Sequence, residues 1–243
     1  MPQKAFAFQL PFIKKEQIAK NVYSFYFDRI KSEFDFLPGQ YVRLVLPHED
    51  ADERGTSRFF TISSSPLNKE HLILTTKLPH STFKNTLFYL EPGQQVQFFG
   101  PLGRLFLQED ETNEQVFLAG GIGITPFHSM LQFAAKKQMQ VPLTLLVSFA
   151  EYEEALFYEE LTSLAKQQPN IKVIYTLSGN YPVNWGGEKG RISEPLLRKY
   201  IGDLQKPIYS LTGPLAMVDS LRQLLESLSI DSEKIIVEDF TGY

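Results

Sequence analysis

Residues 115–130 read QVFLAGGIGITPFHSM, and the rest of the chain is organised around them. Val116, Phe117, Leu118 and Ala119 form a short unbroken apolar run, the pattern of a strand buried on both faces. Gly120, Gly121 and Gly123 follow, then Thr125 and Pro126, then apolar residues at Phe127, Met130, Leu131 and Ala134. Thr125 suits a helix cap and Pro126 the first helical position, so the stretch predicts strand, glycine turn, helix. Such a turn aims backbone N–H groups and the positive end of a helix dipole at one point, and glycines let an anion come close. A pyrophosphate fits there. An ordinary tight turn has the same spelling, since the glycines alone are a weak signal.

Beyond this turn the pattern alternates. Strands are predicted over 143–148, 172–177, 208–212 and 234–238, and helices over 126–137, 151–166, 193–200 and 214–228. That alternation predicts a doubly wound α/β parallel sheet, whose ligands bind beyond the carboxyl ends of its strands. The glycine turn, Ser178 and Thr212-Gly213-Pro214 all fall at such ends. The acidic run EYEEALFYEE (151–160) reads as a solvated helix face with acidic residues at its N-terminus. Trp185, in the glycine-rich loop 180–189, fits either a lid over the cleft or a loop anchor.

Ahead of the turn the chain reads as strands. Phe6, Phe8, Leu10 and Phe12 alternate, and 22–27, 40–46, 58–63, 72–78 and 95–99 are further strand candidates. Pro38-Gly39, Pro66, Pro92-Gly93 and Gly100-Pro101 separate them, and only 82–90 looks helical. Six short strands and one helix predict a small antiparallel β-barrel. The polar stretch 108–114 is the expected junction, dividing the chain into 1–109 and 110–243. The polar loop 48–57 shows no evident chemistry. In strand 58–63, alternation puts Arg58, Phe60 and Ile62 on one side. Arg58 can fork onto a phosphate, the Phe60 ring can lie on a planar heterocycle and Thr61 can donate a hydrogen bond. From the residues alone, a surface arginine beside core aromatics is the plainer reading.

Composition narrows the field. The 243 residues are 43% hydrophobic and 21% charged, the proportions of a soluble globular protein. A net charge of −4 with no basic stripe argues against a nucleic-acid partner. The absence of cysteine excludes disulfides, thiolate-held iron–sulfur clusters and a cysteine nucleophile within these residues. His48, His71, His80 and His128 have no metal-ligand spacing and read as surface or packing residues. With no signal-peptide pattern and no apolar segment long enough to span a bilayer, a cytoplasmic protein is expected.

Arg58-Phe59-Phe60-Thr61, followed by Gly120-Gly121-Ile122-Gly123-Ile124-Thr125-Pro126, resembles the ferredoxin–NADP reductase superfamily of flavoenzymes. Pro38-Gly39-Gln40-Tyr41, Gly100-Pro101-Leu102-Gly103, Gly190-Arg191-Ile192 and Thr212-Gly213-Pro214 match in the family's order and span essentially the whole chain. The resemblance implies an FAD-binding barrel followed by a nicotinamide-dinucleotide domain. It also implies hydride transfer from NADH or NADPH to the flavin, and onward electron transfer. The acceptors that fit are a ferredoxin or flavodoxin, an oxygenase component, or a small ferric or flavin substrate.

By the same resemblance, Arg58 holds the flavin pyrophosphate, Phe60 packs on the isoalloxazine and Thr61 reaches flavin N5. The family usually has Tyr and Ser at these last two positions, so Phe60 lacks a hydroxyl while Thr61 keeps the donor. Ser81, Thr82 and Phe83 resemble a second phosphate-binding element, although Ser81 also reads as a plain helix N-cap. Gly120, Gly121, Gly123, Thr125, Pro126, Ser178, Gly213 and Pro214 would cradle the dinucleotide. Thr212 stands beside the reacting nicotinamide carbon, where the family usually has Cys. Glu238 and Phe240 reproduce the spacing of a carboxylate and a terminal ring that shields the flavin, with Tyr243 as second candidate for the ring; a final strand with Phe240 in the core is also open. The departures at Phe60, Thr61 and Thr212 leave room for a binding or regulatory protein without turnover. NADH is expected over NADPH, because Ser178-Gly179 lacks a following arginine and 149–151 supply no cation. Lys189 and Arg191 are the nearest cations, and Glu151 could accept from a ribose hydroxyl.

Overall fold

A computed structural model of the chain describes residues 4–49, 51–78 and 81–238. The first half is a six-stranded antiparallel sheet built from β1 (Phe6–Ala19), β2 (Val22–Asp28), β3 (Tyr41–Val45), β4 (Ser57–Thr61), β5 (His71–Lys77) and β6 (Gln95–Leu102). The strand order is β4-β3-β6-β1-β2-β5, and a bridge between Ile62 and Leu74 joins the two edges into a barrel. Closure removes the unpaired edges that an open sheet leaves. Phe25, Phe27, Leu44, Ile62, Leu74 and Phe98 fill the interior. Strand β1 runs further than its alternation predicted, bending through irregular pairings between Phe12 and Lys14 and again between Gln17 and Ala19. The one predicted helix here is α1 (Thr82–Phe88), and Ser81 is its N-cap, accepting the Lys84 N–H.

The second half is a parallel sheet of β7 (Gln115–Gly120), β8 (Leu143–Phe149), β9 (Ile171–Leu177), a two-residue β10 (Glu188–Lys189), β11 (Ile208–Thr212) and β12 (Ile235–Val237). Its order is β10-β9-β8-β7-β11-β12. The chain builds outward from β7 to β9, then crosses back to place β11 on the other side of β7. The strand order therefore reverses between β7 and β11, and a crevice opens there at the carboxyl ends. Strand β7 is buried at every position because both faces are covered. Phe117 and Ala119 pack with α2 (Thr125–Lys136) and α3 (Tyr158–Gln167), whereas Val116 and Leu118 pack with α4 (Glu194–Tyr200) and α5 (Leu215–Ser227). Among the described residues no helix is long and apolar enough to cross a membrane.

Two local expectations are corrected. Thr125 does not cap α2: it lies inside the helix, and its hydroxyl donates back to the Ile122 carbonyl at 3.0 Å while the residues Gly121–Ile124 form a 3-10 turn. The helix expected over 151–166 forms only from Tyr158. Before it, Tyr152–Glu154 make a separate 3-10 turn and Phe157 is left-handed at φ 57°. The physical reason is Leu156, which is buried and gives its carbonyl to the Tyr175 hydroxyl at 2.7 Å instead of to a helical N–H. Of the two readings open for Trp185, lid or loop anchor, the structure shows the anchor. Its ring packs on Tyr152 and Tyr158, its indole N–H donates to the Glu188 carbonyl, and a Cβ on Gly187 would strike it.

Leu118 is fully buried between β7 and the α4/α5 layer. Leu118→Ala should lower unfolding free energy by about 2–5 kcal/mol, read from urea denaturation.

Candidate functional site

The crevice between β7 and β11 is floored by two turns in backbone contact. A Cβ placed on Gly123 would lie 2.7 Å from the Thr212 carbonyl and from the Gly213 nitrogen. One placed on Gly213 would lie 3.0 Å from the Gly120 nitrogen, and Gly213 has φ 147°. Any side chain at Gly123 would push the turns apart. Gly121 is different: it has φ 53° and a Cβ there would meet open space, so the conformation itself calls for glycine. Thr212 is buried and its hydroxyl donates to the Gly123 carbonyl, tying the two turns together. The result is a surface of bare backbone at the start of α2, which an anionic or planar ligand can approach closely.

Further along the same edge, Ser178 follows β9 and its hydroxyl donates to the Phe149 carbonyl at 3.2 Å, while Gly179 lies against the Ala150 carbonyl. Lys189 sits beside the end of β9 with its ammonium 4.4 Å over the Tyr181 ring. Glu151 faces Lys20 of the barrel at 3.4 Å.

On the barrel, Arg58, Phe60 and Ile62 do share the inner side of β4, and Phe59 stands outside, 54% exposed. Phe60 is only 7% exposed, with its ring 6.0 Å from Phe83 in the barrel core. The aromatic face this strand leaves open is therefore that of Phe59, because the Phe83 ring of α1 takes the face of Phe60. Thr61 is buried at the strand's end. Arg58 is wrapped by its own loop: it donates to the carbonyls of Arg54, Gly55 and Ser57, and its Nη2 meets the Asp52 carboxylate at 2.5 Å. Its guanidinium also stacks 5.0 Å over Phe83. Asp52 is shared with Arg54 at 3.0 Å. The hydrogen bond from Arg54, joined by that from Arg58, holds the Asp52 carboxyl down at about 2. Burial, together with the nearby Arg54 and Arg58 charges, pushes the Lys84 ammonium down to about 8. Two arginines thus share one carboxylate with a third cation, Lys84, near them, an arrangement that fits a polyanion such as a pyrophosphate. The loop 48–57, read as featureless in the sequence, supplies Asp52 and Arg54. Their charges, six and four residues ahead of Arg58, were the available signal.

Glu238 follows β12 at the carboxyl edge of the sheet. A Cβ on Gly103 would lie 2.7 Å from its Oε1 and 2.9 Å from the Tyr41 ring, so the carboxyl is seated against the end of the barrel. Its Oε2 is buried without a hydrogen-bond partner among the described residues. Burial raises its pKa to about 7, against the pull of the Arg104 and Leu105 backbone N–H groups. Phe240 and Tyr243 lie outside the described residues. A carboxyl whose folded value lies above its unfolded one keeps its proton in the native state after the unfolded chain has lost it. Stability from this group therefore falls as pH rises from the ordinary glutamate range through about 7. Glu238→Gln should be more stable than the unaltered protein above that value, with the difference shrinking at acid pH, as read from thermal melts across the range.

Residues 9–107 match the family model described as an oxidoreductase FAD-binding domain, and residues 117–223 the one described as an oxidoreductase NAD-binding domain. The chain is 28% identical to one component of the Na(+)-translocating NADH-quinone reductase of Marinomonas sp. strain MWYL1, over 79% of this chain and 47% of that protein. It is 29% identical to the toluate 1,2-dioxygenase electron transfer component of Pseudomonas putida, over 87% of this chain and 60% of that protein. The chain thus spans about half the length of the curated relatives it matches first. The flavohaem-like FAD/NAD-binding domain of nitric oxide dioxygenase from Vibrio cholerae O1 biovar El Tor shares the fold, with TM-score 0.81 and 20% identity, covering 95% of this chain and 97% of that one. With a closed antiparallel barrel bearing a cation cluster, and a parallel sheet whose reversal point is bare glycine backbone, the chain belongs to the ferredoxin–NADP reductase superfamily.

Proposed function

We propose that this protein is a reductase that takes hydride from NADH at FAD and delivers electrons to an acceptor, either a protein on another chain or a small ferric or flavin compound. The observation that carries the reading is the meeting of two sites. The carboxyl edge of the parallel sheet, with its two glycine turns, abuts the barrel end through Glu238 against Gly103. In this reading residues 1–109 are the FAD domain and 110–243 the nicotinamide domain.

The chemistry supplied by FAD is acceptance of hydride at N5 and release of electrons one at a time. The chain's own residues bind, orient and exclude water. Arg58, with Arg54 and Lys84, would hold the pyrophosphate in place of Asp52, and Ser81, Thr82 and Phe83 would border it. Thr61 would meet the flavin's N5 edge, while Phe60 stiffens the strand from the core. Gly120, Gly121, Gly123, Thr125, Pro126, Ser178, Gly213 and Pro214 would receive the dinucleotide, and Thr212 would fix the spacing of its two turns. Glu238 would hold a proton at its carboxyl near neutral pH, and Phe240 or Tyr243 would cover the flavin.

A dinucleotide without the 2′-phosphate suits the edge beyond β9, where Ser178 is not followed by an arginine. One relative named as part of an NADH-quinone reductase and another named as an electron transfer component agree with NADH and with an external acceptor. A cytoplasmic setting matches that co-substrate.

The decisive experiment is anaerobic. Protein loaded with FAD should lose its yellow colour on adding NADH and regain it with ferricyanide; retention of the colour would overturn the reading in favour of a binding protein without turnover. The kcat/KM for NADH should exceed that for NADPH, and a ten-fold preference for NADPH, about 1.4 kcal/mol, would defeat the choice of NADH and point to Lys189. Arg58→Ala should weaken FAD binding by about ten-fold or more through loss of charge-assisted bonds, measured by flavin fluorescence; unchanged affinity would leave Arg58 a partner of its own loop.

A further inference from the structure

Helix α2 starts at the dinucleotide turn and carries three polar side chains on the face turned to the barrel. His128 Nδ1 lies 2.7 Å from the Ser63 carbonyl, the Ser129 hydroxyl donates to the Ser64 carbonyl at 2.7 Å, and Gln132 Oε1 accepts from the Ser65 N–H at 3.3 Å. Three consecutive residues of the barrel are thus bonded by one helix face. Segment 63–65 begins two residues after Thr61 and is itself pinned to β5. Ser63 Oγ donates to the Ile73 carbonyl and Ser64 Oγ accepts the Ile73 N–H. His128 and Ser129 are buried, so these contacts are shielded from competing water.

The ring of His128 is fixed from its other sides as well. A carbonyl oxygen only accepts, so Nδ1 carries the proton toward Ser63, and Nε2 faces the Glu160 carboxylate at 3.0 Å. Burial works to raise the Glu160 carboxyl, yet the hydrogen bonds from His128 and Gln132 hold it below its ordinary value. Phe157 stacks on the imidazole at 3.7 Å and 13°. Phe157 is also the left-handed residue that opens α3. A bulky residue keeps such a backbone only where its surroundings over-determine it, and the stacked ring is that surrounding.

We propose that His128 and Ser129 are positioning residues that lock the dinucleotide turn against the Thr61 end of the barrel and so set the gap that hydride crosses. The inference rests on the functional reading above for the word hydride, but the lock itself does not. Because the chain has no cysteine, Ile30→Cys on the barrel and Gln223→Cys on α5, both exposed, give a clean pair of spin-label sites. In that background, His128→Ala with Ser129→Ala should broaden the inter-label distance distribution. In the unlabelled full chain the same pair should slow flavin reduction at saturating NADH by about ten- to a hundred-fold, with FAD affinity and dithionite reduction unchanged. His128→Asn, whose amide can still donate to the Ser63 carbonyl, should restore a narrow distribution and most of the rate relative to His128→Ala. An unchanged distribution, an unchanged rate, or a rate that falls only as FAD is lost would each overturn the proposal. If the unaltered protein fails to reduce its flavin with NADH, the functional reading fails, while the distance distribution still decides the lock.

Discussion

Everything at the crevice depends on two turns that touch without side chains between them. Gly123 sits so close to Thr212 and Gly213 that a single methyl would collide with backbone, and the Thr212 hydroxyl bonds the Gly123 carbonyl across the contact. That contact fixes the separation of β7 and β11 at their carboxyl ends. It leaves peptide groups, rather than side chains, as the surface a ligand meets. A cysteine at position 212 would leave the Gly123 carbonyl with a weaker donor, since a thiol hydrogen-bonds more feebly than a hydroxyl. The departure from the family's usual residue is thus accompanied by a bond that stiffens the floor of the site.

The second constraint is electrostatic. Arg54 and Arg58 both meet Asp52, and the Lys84 ammonium near them is lowered first by burial and then by their charges. A polyanion relieves that crowding better than one carboxylate does. Arg58 is held ready by three carbonyls and by Phe83, which restricts the rotamers a free guanidinium would otherwise lose on binding. Where the barrel end meets the parallel sheet, Glu238 is a buried carboxyl seated by Gly103 and the Tyr41 ring. The barrel therefore carries a cationic patch, and the parallel sheet seats a protonatable acid against its end.

Much of this was legible from local pattern. The apolar run 116–119, alternation in the first hundred residues and strand–helix alternation after it each follow from periodicity, and periodicity reports which faces are covered. The Arg58-to-Thr61 and Gly120-to-Pro126 stretches carried the family. What periodicity mislaid was the start of α3. The residues from Glu151 have helical composition, but Tyr175, distant in sequence, takes the Leu156 carbonyl and Phe157 flips to a left-handed backbone against His128. Thr125 was misplaced for a related reason: the 3-10 turn ahead of α2 absorbs the capping position.

The sequence by itself determined the two-part architecture, the glycine turns and the superfamily, because those depend on residue type at short spacing. Only the tertiary structure decided that His128 is a bridge between halves and not a surface residue, that Phe60 belongs to the core, that Asp52 sits on Arg58 and that Trp185 anchors its loop. Most of these rest on partners tens of residues away, brought together by barrel closure and by the docking of α2 on segment 63–65. Spacing along a chain carries no record of such meetings, since the closure of a barrel and the packing of one half on the other set them.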